Sequence, residues 1–265
     1  MLRFFRLLRK KFLEEGHIRK YFWYALGEIS LVMIGILLAL QVNNWNNSRI
    51  EAQESNHAME RLLEDLYEEV VILKTTYEYL NTVLDYAEAA MDIYESGSID
   101  DRKTADQFLT NLYQASQIQE GVQSNFTYLE IISSGKLDLI YNEDIRTSLL
   151  AYYSYSWPNS IVFTVEDHYR ENIRKVIPRS VQSKIREDCG DVYTRISGTV
   201  RVTLKAGCKL EFDESGYAVA NSIIKDETLK KDLLFRIGNL KSQLELIKSF
   251  QDEAQRVTQL LESDQ

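Results

Sequence analysis

Only two prolines, Pro158 and Pro178, and eleven glycines interrupt a chain of 265 residues. With so few points that force the backbone to turn, long helices are the natural expectation and an all-β architecture is disfavoured. Histidine is equally sparse, at His17, His57 and His168. The pair His57 and Glu60 has the i, i+3 spacing of some metal ligands, but no second Glu/His set accompanies it, so an exposed helix pair is the better reading. Ser134-Gly135-Lys136 lacks the upstream glycine and the following Ser or Thr of a phosphate-binding loop, and no Gly-x-Ser-x-Gly occurs. Nothing therefore supports a nucleotide or acyl-transfer site, and no cofactor or catalytic residue is expected.

What is present is a charge asymmetry and one long apolar run. Residues 1–42 hold seven Lys or Arg against three acids, leaving 24 basic and 37 acidic residues, a charge of about −13, for everything after Val42. An acidic body of that kind does not suit nucleic acid as a partner. Residues 21–42, YFWYALGEISLVMIGILLALQV, carry one charge, Glu28. As a helix this run spans roughly 33 Å, which matches a bilayer core. Tyr21, Phe22, Trp23 and Tyr24 mark one end and Trp45 the other, where aromatic rings favour the headgroup level. The run is longer than a signal-peptide core and lacks a small-x-small exit, so it reads as a retained anchor.

The basic residues precede the span and Arg49 is the cation just after it, which puts the N-terminus in the cytoplasm of a bacterial cell and the rest in the periplasm. The expected organisation is a basic amphipathic cytoplasmic segment at 1–20, a transmembrane helix at 21–43 and an extracytoplasmic helical domain at 44–265. Within 1–20, Leu2, Phe5, Leu8 and Phe12 share a face suited to anionic lipid, although topology alone already calls for the charge. Glu28 shares a helical face with Tyr24, Gly35, Ala39 and Val42. A carboxylate in hydrocarbon is costly, so it either meets a polar group on another helix or reaches toward the near interface. Small residues on the same face favour helix association, making Tyr24, Glu28, Gly35 and Ala39 the association candidates.

Gly27-Glu28-Ile29, Gly35-Ile36-Leu37, Ala39-Leu40-Gln41 and Asn43-Asn44-Trp45-Asn46 together resemble the N-terminal signature of an uncharacterised bacterial family of single-pass membrane proteins. The stretch SSGKLDLI, residues 133–140, followed by an acidic helix start, is similar to its second recurring segment. The resemblance implies a single-pass anchor with a helical body and supplies no activity. The cysteine-containing segment at 185–215 falls outside the pattern.

Beyond the span, apolar residues fall at 59, 63, 66, 70, 73, 77, 80, 84, 87, 91 and 94, a heptad stripe of five repeats. Leu62, Tyr67, Val71, Val83, Ala90 and Ile93 widen it beyond a two-stranded seam, which predicts a bundle helix ending at Ser96-Gly97-Ser98. Whether the membrane helix runs on into it or frays at residues 43–48 is open. A second long helix starts behind a candidate cap, Asp226, with Leu229, Leu233, Ile237, Leu240, Leu244, Ile247, Gln251, Ala254, Val257 and Leu261 on one face. Its length suits antiparallel pairing with the first. Between them the pattern predicts helices at 104–116, 125–134, 142–157 and 159–176, giving a four-to-six helix bundle. Residues 189–219 carry β-branched and alternating stretches with turns at 197–198 and 206–207, predicting a small two- or three-stranded sheet. Cys189 and Cys208 bracket it, and in an oxidising periplasm they are expected to pair.

The acids Glu64, Asp65, Glu68 and Glu69 follow the edge of the heptad stripe and read as a solvated face. Sixteen tyrosines, several in the run from Tyr152 to Trp157, read as core first and as the lining of a cleft or interface second. The fold class is thus mainly α, with one transmembrane helix, an extracytoplasmic helical bundle and a small disulfide-closed β insert. The function expected is non-enzymatic: a membrane-anchored module partnered by the lipid bilayer and by a second copy or another membrane protein. The alternatives are a periplasmic ligand-sensing domain that signals through a partner and, less favoured, an enzyme with an unrecognised site.

Overall fold

A computed structural model describes residues 18–196 and 199–264. The amphipathic segment expected at the N-terminus and the turn at 197–198 lie outside the described residues. The chain forms two compact units, residues 1–57 and 58–265.

Helix α1 runs unbroken from Ile18 to Ser96, so the apolar run and the heptad stripe belong to one helix and the Asn43 to Ser48 cluster does not fray it. Within the first unit its apolar part is long enough to cross a membrane, and none of the residues in that window is buried. Helix α1 stops where Gly97 adopts φ +76 and its N–H turns back to the Tyr94 carbonyl. That left-handed position is open to glycine at little cost, which is why the stop falls there.

In the second unit the predicted stripe faces inward. Leu63, Leu66, Leu73, Leu80, Leu84, Ala87, Met91 and Tyr94 are buried, and Leu62, Val83 and Ala90 widen the buried face. Tyr67 departs from the expectation: it is exposed, and its hydroxyl donates to Glu262 at 2.5 Å. The second long helix, α9 (Glu227–Ser263), begins behind Asp226 as predicted, with the Asp226 side chain accepting from Thr228 N and Leu229 N. Nine of its ten predicted core positions, all but Gln251, are buried. Tyr67 meets Glu262 while Glu88 meets Lys241 at 2.8 Å, so the two helices run antiparallel.

Shorter elements fill the space between. Helix α2 (Arg102–Ala115), capped by Asp101, is buried almost all round. It is followed by an irregular loop at 117–125, α3 (Phe126–Ser133), a 3₁₀ turn (Leu137–Leu139), α4 (Glu143–Tyr153) and a second 3₁₀ turn (Trp157–Asn159). The single helix expected at 159–176 is instead two pieces, α5 (Ile161–Thr164) and α6 (Tyr169–Val176). The break has a cause: Val165 turns extended, and Asp167 caps Tyr169 N at 3.0 Å while accepting from Arg236 on α9. A side chain recruited across the bundle outweighs continuation of a short helix.

Helix α7 (Arg179–Cys189) leads into an antiparallel hairpin, β1 (Val192–Ile196) and β2 (Thr199–Thr203), with Tyr193 opposite Val202 and Thr194 opposite Arg201. The expected insert is therefore a two-stranded sheet. Residues 209–212, one of the stretches that suggested strands, form none. Leu210 and Phe212 pack on the core, and the Phe212 N–H bonds the Asp106 side chain, not a neighbouring strand. From Glu214 the chain is already helical, as α8 (Glu214–Ile223), so the β region closes before 219. Cys189 and Cys208 form a disulfide across a Cα separation of 6.1 Å. The loop it closes is fastened to α1 by Tyr86, whose hydroxyl donates to Lys205 O at 2.5 Å and accepts from Cys208 N at 2.9 Å.

Candidate functional site

The polar centre of the second unit is organised around the loop at 117–125. An irregular segment packed on a helical bundle has no ladder partner for its backbone, and here Gln117 and Ser124 are buried, where an N–H or C=O left unmet is costly. Side chains from four helices supply the partners. Arg236 of α9 donates to Gln117 O at 2.7 Å, Tyr153 of α4 donates to Ser124 O at 3.1 Å, and Tyr79 of α1 shares its one hydroxyl proton between Ile118 O at 3.3 Å and Asp191 at 3.0 Å. Glu69 of α1 accepts from Ser124 N at 2.6 Å, and Arg174 of α6 donates to the Gln117 side chain at 2.8 Å. Gly121 lets the loop pass Trp157, since a Cβ there would stand 2.8 Å from the indole and 2.9 Å from Pro158.

Glu69 overturns the solvated-face reading of the acids. It is fully buried, and beyond Ser124 N it accepts from Tyr152 Oη and Trp157 Nε1, both at 3.0 Å. Burial raises its carboxyl above the ordinary range, against the three hydrogen bonds, which favour the charged form. Asp65 accepts from Thr127 N at 2.7 Å at the start of α3, and Glu68 pairs with Arg201 of β2 at 3.3 Å. Of the four acids only Glu64 is exposed. The heptad pattern places them at the edge of the stripe, but the partners that draw three of them inward sit some 55 to 133 residues away in sequence.

The aromatic run resolves in the same way. Tyr152 and Trp157 are core residues whose polar ends serve Glu69, Tyr153 stacks on Tyr128 at 4.5 Å, and Tyr155 is half exposed beside Phe250. Burial and the nearby Glu69 charge push the Tyr152 and Tyr153 hydroxyls well above the tyrosine range, so both stay protonated donors.

Three arginines gather at the C-terminal end of α2. The last carbonyls of a helix lack intrahelical donors and carry the negative end of its dipole. Arg236 Nε meets Ala115 O at 3.2 Å, Arg170 Nη1 meets Ser116 O at 2.6 Å, and Arg174 Nε meets Ser116 Oγ at 2.9 Å while its guanidinium lies 4.5 Å over the Tyr113 ring. Burial and the adjacent Arg170 lower Arg174 to about 10, and burial lowers Arg236. Asp167, 3.2 Å from Arg236, and Asp191, which accepts from Tyr79 Oη at 3.0 Å, are the nearby counter-charges.

Against this cluster lies a cavity of about 270 Å³, walled by Leu80, Ile118, Phe163 and Val165 and carrying the polar side chains of Gln119, Asp167, Arg170, Arg236, Asn239 and Gln243. Sequence reasoning missed all of these polar residues. They come from three separated segments, and no local spacing links them.

The predicted association residues lie elsewhere, on the apolar part of α1. Helical geometry puts Tyr24, Glu28, Gly35 and Ala39 within about 60° of one another around the axis. Tyr24 and Glu28 are half-buried, Gly35 and Ala39 are exposed, and a Cβ added at Gly35 would touch nothing within 4 Å. His57 and Glu60 are exposed on the same helix, and among the described residues no group of three or more His, Cys, Asp or Glu could hold a metal ion.

These features define a mainly helical protein with an N-terminal helix long and apolar enough to cross a membrane and a helical unit closed by a small disulfide-bonded hairpin region. The chain belongs to the Family of unknown function (DUF6090), whose model matches residues 28–184. That span contains Glu69 and all its partners, and it ends before Cys189. No curated protein and no solved structure matches the chain.

Proposed function

We propose that this protein is a membrane-anchored helical module of the bacterial inner membrane, with its N-terminus in the cytoplasm and residues 44–265 in the periplasm, and that it acts by association and not by catalysis. The observation that carries the reading is the apolar part of α1, where no residue in the membrane-length window is buried. So long a run of exposed Leu, Ile and Val requires a cover, which a bilayer supplies. The positive flank before the run supports the orientation, and a disulfide supports an oxidising compartment. Association is assigned to the face of Tyr24, Glu28, Gly35 and Ala39, where small residues permit close helix approach and a carboxyl gains from a polar neighbour in lipid.

In-membrane crosslinking of the full-length protein in its own cells, followed by mass spectrometry of what co-purifies, tests the reading. Recovery of a second copy or of a specific membrane protein is the expected result, and Glu28→Leu should lower that recovery. A protein recovered only as monomer would overturn the association reading, and unchanged recovery with Glu28→Leu would remove Glu28 from it.

A further inference from the structure

The cavity beside the arginine cluster has the chemistry of a binding site, and three observations define what would fill it. Arg170 spends one guanidinium nitrogen on Ser116 O, is half-buried, and among the described residues meets no carboxylate within ion-pair distance, unlike Arg236, which has Asp167. The charged side chains that line the cavity are Arg170 and Arg236 against Asp167, an excess of one positive charge. Gln119 donates its amide to Thr76 Oγ1 at 2.8 Å, which leaves Gln119 Oε1 without a protein partner, and Asn239 Nδ2 is likewise buried without an acceptor. Unmet polar groups inside a folded unit are uncommon, and two lining one cavity need an explanation.

We infer that this cavity binds a small carboxylate that also carries a hydrogen-bond donor, an α-amino or α-hydroxy acid. The carboxylate lies toward Arg170 and Asn239, which donate to it, and so answers the excess positive charge. The amino or hydroxyl group lies toward Gln119 Oε1 and Asp167, which accept. Leu80, Ile118, Phe163 and Val165 offer an apolar wall to the rest of the molecule. A volume of about 270 Å³ falls just under the roughly 300 Å³ at which pockets for drug-sized ligands begin, so the fit is to a molecule of amino-acid size. Ile118 is largely exposed, giving a route in from solvent. This inference is independent of the association reading, since it concerns only the second unit.

The test is thermal unfolding of the full-length protein in mild detergent, with Trp157 fluorescence as a second signal because its ring sits 5.3 Å from Phe163 in the cavity wall. The probes are alanine, leucine and phenylalanine, their α-hydroxy analogues, 4-methylvalerate, which is leucine without the donor, and isoamylamine, which is leucine without the carboxylate. At least one amino or hydroxy acid should raise the midpoint at millimolar concentration, with 4-methylvalerate weaker and isoamylamine without effect; whichever series binds identifies the source. Asn239→Leu, which gives up no hydrogen bond in the free protein, should fold as the parent does and weaken binding about tenfold or more; Arg170→Gln, which also gives up the bond to Ser116 O, should weaken binding as much and lower the midpoint of the free protein. No shift with any acid overturns the inference, as does binding that survives Asn239→Leu and Arg170→Gln. Isoamylamine matching leucine would also overturn it.

Discussion

Replacing Glu69 by Gln probes the centre of the fold with a near-isosteric change. The carboxylate accepts three bonds, from Ser124 N, Tyr152 Oη and Trp157 Nε1, and is fully buried. An amide has one acceptor oxygen. Keeping that oxygen on Tyr152 and Trp157 turns the NH₂ group against the Ser124 N–H, donor against donor. The loss is one charge-assisted bond of about 1.5–3 kcal/mol plus an unmet buried N–H of about 1–3 kcal/mol, reduced by relief from burying a charge. A net cost of about 2–4 kcal/mol follows, which for a unit of this size lowers the unfolding midpoint by roughly 4–16 °C. Urea unfolding of the full-length protein in detergent, monitored by tryptophan fluorescence and by circular dichroism, gives the difference directly. The pH dependence has a definite sign. Because burial raises the folded-state value of Glu69, its contribution is fully present below the unfolded value of about 4.3 and is lost as pH rises through the folded one. Gln does not titrate, so the gap between parent and variant should be widest in acid and narrow as the pH rises. A variant within about 0.5 kcal/mol of the parent at neutral pH, or a gap that widens with pH, would refute the reasoning.

Removing the disulfide with the double change Cys189→Ser and Cys208→Ser opens a loop with a sequence separation of 19 and should cost about 3 kcal/mol in the chain-entropy model, read as a lower urea midpoint; an unchanged midpoint would contradict it. Arg236→Lys keeps the charge but offers one nitrogen where Asp167, Ala115 O and Gln117 O are met by three, so a loss of about 2–3 kcal/mol is expected, and a neutral result would show that the fork is not needed. On α9, Leu240→Ala should cost about 2–5 kcal/mol, because Leu240 is fully buried, whereas Leu234→Ala at a largely exposed position should stay within about 0.5 kcal/mol; equal costs would mean that the packed face is misassigned.

The parts of this protein readable from sequence are those encoded by a local period. The heptad stripe of α1, the Asp226 cap and nearly the whole inner face of α9 follow from helical spacing, because an amphipathic helix must turn its apolar residues to the core whatever lies opposite. Spacing could not show that α5 and α6 are separate, since the break depends on Asp167 reaching Arg236, 69 residues away. Nor could it show that residues 209–212 lack a strand partner, because pairing is a property of two segments. The candidate cavity was wholly invisible: Gln119, Arg170 and Asn239 look like ordinary surface residues of three unrelated stretches.

Composition and periodicity within single stretches of chain encode the apolar helix, the heptad stripe, the long C-terminal helix and the two cysteines that pair. Only the packing of distant segments buries Glu69, holds the loop at 117–125 with side chains from four helices and collects three arginines at the end of α2. Those outcomes share one physical reason. A buried backbone without a ladder partner must be met by side chains, and which side chains can reach it is fixed only when distant segments pack together.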